Sequence, residues 1–183
     1  MLRRPSYPST ATTAFIAAGL LGCSDPETPP PQASARLSVT THPTGRCTGQ
    51  LVHNMLVPSI DGAPTRTSPG SRIADGQDGS EISCTVVRSG GGFAFSGSIR
   101  HGRAALAVPT GTIDASGKGQ TVVSHFDPNT GETFFQQSCD VEALEIAEGR
   151  MWLEVTCGNF RPQGAANQIC TASAVLVFEN CST

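Results

Sequence analysis

Seven cysteines set the strongest limit on how this 183-residue chain can fold. They stand at positions 23, 47, 84, 139, 157, 170 and 181, and even the closest two, Cys170 and Cys181, lack the C-x-x-C spacing that zinc sites favour. Cysteines scattered in this way tie distant segments together as disulfides, provided the chain reaches an oxidising compartment. Six of them make three bridges, with fifteen connectivities open, and the seventh needs another use.

The amino-terminal residues supply both the compartment and that use. Arg3 and Arg4 form a positive start, and residues 14–21 are a short apolar run, too short for a helix that spans about 30 Å of hydrocarbon. This is the layout of a secretory signal. The run ends in Leu20-Leu21-Gly22-Cys23, which resembles the lipobox of bacterial lipoproteins. The resemblance implies cleavage before Cys23, a diacylglyceryl group on its sulfur and an acylated amino terminus. Together these exceed the two membrane signals that stable anchoring requires. Leu21 stands where Ala or Ser is more usual. Ser24 follows the cysteine and Asp25 comes one place later, an order that in such lipoproteins favours the outer over the inner membrane. Residues 1–22 are thus read as signal peptide and 23–35 as a lipid-anchored tether. The tether's three consecutive prolines, Pro29 to Pro31, favour an extended spacer. Residues 36–183 remain as one domain, large enough for a core.

The formal charge is −3 and Lys118 is the only lysine. No basic stripe exists to follow a phosphate backbone, so nucleic acid is not an expected partner. The membrane is, through the lipid, together with an envelope protein or glycan.

Beyond Arg36 no 3.6-residue apolar period is sustained. Short β-branched and aromatic runs alternate with polar residues and are bounded by Gly, Pro, Asn and Asp. Strands are predicted over 36–40, 82–88, 93–100, 104–108 with 111–114 (broken at Pro109), 121–126, 133–144, 150–157 and 168–179; residues 50–57 are apolar and read as a strand or one helical turn, and 58–79 as a surface loop. With no crossover helices, the prediction is an all-β, antiparallel, disulfide-stabilised sandwich of about eight strands. A turn near Glu148 sets Cys139 opposite Cys157, with Phe135, Cys139 and Val141 sharing a face. A turn between Gln163 and Gly164 would instead set Cys157 opposite Cys170. The first turn is shorter and is preferred. Cys47, Cys84, Cys170 and Cys181 stay unassigned.

Few residues suggest chemistry. In Ser124-His125-Phe126-Asp127 the serine and histidine are strand neighbours that point to opposite faces, so they cannot act as nucleophile and base. No G-x-S-x-G elbow is present, and His125 is read as a strand-end or surface histidine. Asp75, Asp78 and Glu81 crowd a glycine-rich turn and are weak calcium candidates whose spacing departs from an EF-hand. Trp152, the single tryptophan, falls on the outward parity and is a candidate ligand contact. No catalytic residues, cofactor-binding residues or cofactors are expected.

The run from Gly76 to Cys84, the strand from Trp152 to Cys157 and the ending Val177-Phe178-Glu179-Asn180-Cys181 give the body a resemblance to bacterial envelope lipoproteins with a disulfide-bonded β domain. Glu154-Val155-Thr156-Cys157 adds a loose similarity to small mycobacterial lipoprotein antigens. Both imply a fold type and no activity. The expected role is a binding or structural module at the envelope. A small hydrolase with carboxylates dispersed in sequence, and a calcium-dependent adhesion domain, are the alternatives.

Overall fold

The computed structural model describes residues 28–165 and 167–183. Cys23, the lipobox and residues 24–27 of the tether lie outside them. The described chain forms ten strands: β1 (Gln32–Thr41), β2 (His53–Val57), β3 (Ile73–Ala74), β4 (Glu81–Ser89), β5 (Gly92–His101), β6 (Ala104–Ile113), β7 (Lys118–Asp127), β8 (Glu132–Ala147), β9 (Arg150–Pro162) and β10 (Cys170–Glu179). Two 3-10 turns, Gly49–Leu51 and Gln77–Gly79, are the only helical elements among these residues. The class is therefore all-β and antiparallel, as the alternating patterns predict.

All ten strands belong to one continuous ladder. Its order is β2-β1-β10-β9-β8-β7-β6-β5-β4, with β3 added beside β1. From β4 to β10 every strand pairs with its successor, and β1 then closes onto β10. The sheet curls into a half-barrel, which brings β2 against β5 and β6. The two halves meet closely at Gly97 on β5. A Cβ there would lie 2.8 Å from Met151 Cε of β9 and 2.9 Å from Phe178 Cζ of β10, so a larger residue would have to displace both side chains.

The core follows strand parity. Ile82, Cys84 and Val86 of β4 point inward, as do Met151, Leu153, Val155 and Cys157 of β9. Several boundaries differ from the sequence reading. β1 starts at Gln32 inside the supposed tether, because Ala33 and Ala35 are fully buried against β10 and β2. β6 runs unbroken through Pro109, which sits where the β6–β7 register shifts between Ala107 and Gly111; a bulge tolerates the missing N–H. In β8 the inward residue is Phe134, not Phe135, since an irregularity before Cys139 flips the parity. The loop after β2 contributes β3.

Three disulfides pin this sheet: Cys47–Cys170, Cys84–Cys181 and Cys139–Cys157. The last is the preferred hairpin pair. The rival partner of Cys157 is excluded by register, which places Ala172 opposite it. Cys84–Cys181 has a second effect at the edge of the sheet. It holds the carboxyl-terminal tail on β4, where the Val86 amide donates to Ser182 O at 2.9 Å and the Ser182 amide donates to Cys84 O at 3.0 Å. That covers an edge which would otherwise offer unpaired backbone groups to another chain.

Candidate functional site

Polar side chains are scarce in the interior, and three of them meet at one end of the half-barrel. His125 and Asp127 are two residues apart on β7 and so share its inward face; each is only 1% exposed. His53, at the start of β2, reaches across to them from the far end of the ladder. Its Nε2 lies 2.9 Å from His125 Nε2, and its Nδ1 lies 3.8 Å from Asp127 Oδ2. Phe134 forms the wall, with its ring centroid 5.5 Å from that of His53 and 5.9 Å from that of His125, and Phe160 stacks behind it. The expectation of a strand-end or surface His125 is thus corrected: the ring is in the core.

Local backbone groups complete the cluster. The His125 Nδ1 is 3.1 Å from Ala105 O on β6, and the His53 Nδ1 is 2.9 Å from Leu51 O in the first 3-10 turn. Asp127 caps the β7–β8 turn: its Oδ1 accepts the Asn129 amide at 3.0 Å and its Oδ2 the Thr130 hydroxyl at 2.8 Å. This is the Asx-type use that the Asp-Pro-Asn-Thr-Gly run suggests, and it leaves the carboxylate beside an imidazole.

Burial pushes the His125 pKa down to about 4, helped by the charge of His53 and opposed by the Ala105 carbonyl and Asp127. Burial also works against the charged form of Asp127. The Asn129 amide, the Thr130 hydroxyl and the two imidazoles outweigh it and hold that carboxyl below its usual range. A histidine with a depressed folded pKa binds fewer protons than it does in the unfolded chain. Its stabilising effect is whole above about pH 6.5 and drains as the pH falls through about 4. The pKa of about 4 against the ordinary 6.5 corresponds to about 3 kcal/mol. Between pH 7 and pH 4 the urea midpoint should fall, and most of that fall should vanish in His125→Phe. A variant that keeps the full acid slope would clear His125 of responsibility. The lowered Asp127 acts only below its ordinary 3.8, outside this window.

The other sequence candidates stand apart from this cluster. Asp75 spends Oδ1 on the Ile82 amide at 2.7 Å, Glu81 faces Arg100 at 3.5 Å, and Asp78 is exposed in a tight turn with φ of 50°. No group of three or more His, Cys, Asp or Glu side chains among the described residues is placed to hold a metal ion. Trp152 is half-buried, and its indole N–H donates to Thr65 O at 3.1 Å, so the long loop after β2 lies across it. The neighbouring Arg66 pairs with both Glu154 and Glu142. Alongside runs an open groove on the outer face of β7 to β9, bordered by Asp114, Gln120, Asp140 and Thr156.

Sequence reasoning tested Ser124 with His125 and missed His125 with Asp127. The signal was there in the two-residue spacing. Nothing in the sequence pairs His53 with them, because that contact depends on how far the sheet curls. Comparison with protein-family profiles, curated proteins and solved structures finds no match.

Proposed function

We propose that this chain is a lipoprotein of the bacterial cell envelope, anchored through Cys23, whose β domain is a binding or structural module for an envelope protein or glycan. The observation that carries this reading is where the space lies. The interior is packed mainly by apolar side chains and disulfides around the small His125–Asp127 cluster, whereas the grooves open on the outer face. Among the described residues such a body offers a partner an open surface. The carboxylates of the outer groove are partly neutralised by Arg66, which weighs against the hydrolase alternative. We read the core as sandwich-like in packing, with β5 lying over β9 and β10, although all strands share one ladder. The outer membrane is the favoured site of the anchor, on the order of Ser24 and Asp25.

Unreduced mass spectrometry of the protein extracted from its native membrane tests the reading. The expected result is an acylated amino-terminal Cys23, with the other six cysteines linked as Cys47–Cys170, Cys84–Cys181 and Cys139–Cys157. A mature chain carrying an unmodified Cys23 would overturn the anchor and, with it, the envelope module.

A further inference from the structure

The contacts of the histidine pair constrain how many protons it holds. A carbonyl oxygen only accepts. The Ala105 carbonyl at 3.1 Å therefore requires a proton on His125 Nδ1, and the Leu51 carbonyl at 2.9 Å requires one on His53 Nδ1. The two Nε2 atoms are 2.9 Å apart and the ring centroids 5.1 Å apart, so the rings meet apex to apex. One proton must lie between them, since two lone pairs at that distance would repel. That makes three protons on four ring nitrogens, one more than two neutral imidazoles carry. A tetrahedral metal ion bound by both Nε2 atoms would set them about 3.3 Å apart, wider than the observed gap.

We propose that His53 and His125 form an imidazole–imidazolium pair that shares one proton, is charge-balanced by Asp127, and acts as a pH-sensitive clasp holding residues 49–53 to the β7 end of the half-barrel. The proposal is independent of what the domain binds. Its parts come from separate elements: Leu51 from the 3-10 turn, His53 from β2, Ala105 from β6, His125 and Asp127 from β7, and the Phe134 and Phe160 rings from β8 and β9. Asp127 is the one carboxylate acting on His125, and the two histidines are the charges acting on Asp127. Glu132, opposite Asp127 in the ladder, turns to the Gly164 amide at 3.3 Å. His101, half-buried at the rim of β5, is not among the charges that move either group.

Acid adds a fourth proton. Both Nε2 atoms then become donors, the contact between them turns repulsive, and β2 loses its hold on β7. The displaced segment cannot travel far. On one side Cys47 is bonded to Cys170, and the Thr48 amide donates to Gln168 Oε1 at 3.1 Å; on the other, Asn54 to Val57 remain paired with β1. The movement is confined to the 3-10 turn and the first residue of β2. The low pKa of His125 sets the acid side of the switch.

Long-range proton–nitrogen spectra of the full chain in detergent test the proposal directly. At pH 7 the pair should show three donor-type ring nitrogens and one acceptor type. Two donors and two acceptors would overturn it. In Asp127→Asn a second acceptor nitrogen should appear at the same pH, and an unchanged proton count would remove Asp127 from the mechanism. Amide protection at Leu51 and Val52 should fall at least about tenfold between pH 7 and pH 4.5, while Val155 and Leu176 hold theirs. Equal loss at all four would mean global unfolding and would overturn the clasp. The spectra and exchange are read on the wild-type chain, so the test survives a variant that fails to fold.

Discussion

Replacing Cys84 and Cys181 together with alanine is expected to lower the unfolding free energy by about 4 kcal/mol, measured by urea denaturation under non-reducing conditions. The two are 97 residues apart, but the remaining bridges shorten the loop they close. The path runs from Cys84 back to Cys47, across to Cys170 and on to Cys181, roughly 50 residues in chain-closure terms. Removing Cys139–Cys157, which spans 18 residues directly, should cost about 3 kcal/mol. The order matters more than the values. A larger loss at Cys139–Cys157 would show that local strand geometry, and not restriction of the unfolded chain, governs the stabilisation. The Cys84–Cys181 variant should also self-associate at high concentration, because the tail that covers β4 would lose its fastening.

Phe134→Ala is expected to cost about 3–5 kcal/mol, the usual range for emptying a fully buried phenylalanine site. Phe134 is 0% exposed and stacks on Phe160 on one side while facing both histidines on the other. The loss therefore has a second signature. Burial is the leading cause of the low His125 pKa, so water entering the space left by the ring should raise it. The acid-induced fall in stability should shrink, and the His125 resonance should titrate at higher pH. A variant that loses stability while the His125 titration stays at about pH 4 would show that backbone groups, not the aromatic wall, keep that ring dry.

Strand identity was legible because strand parity is. β4 and β10 are legible nearly whole, and β9 is legible from Arg150 to Cys157, where its alternation breaks and its last five residues go unread. What parity cannot reveal is a place where it breaks. Cys139 faces Cys157 as predicted, yet the tight turn pairs Ala147 with Arg150, and a register shift between Ala143 and Glu145 restores the predicted facing. The same kind of irregularity, one step earlier in β8, put Phe134 inside where Phe135 was expected. β1 began too late in the sequence reading because alanine carries little apolar signal and the preceding prolines suggested a spacer. For the buried cluster, the His125–Asp127 half was readable from spacing alone. The His53 half was not, since it joins β2, at one end of the ladder, to β7 in its interior, strands that are not neighbours in the sheet. The pairings of Cys47 and Cys84 stayed open because each joins segments far apart in sequence: Cys47 meets Cys170 beside the β1–β10 pairing, and Cys84 on β4 meets Cys181 from across the curl.

The seat of β1 between β10 and β2 has a consequence for how the chain is made. Synthesis proceeds from the amino terminus, but β1 has no lateral partner on its β10 side until β10 itself arrives. The meander from β4 to β9 can assemble as it emerges, and Cys139–Cys157 can close within it. Cys47–Cys170 and Cys84–Cys181 must wait for the end of the chain. The first strand is therefore held open until the last is delivered, which keeps the half-barrel from closing on an unfinished polypeptide.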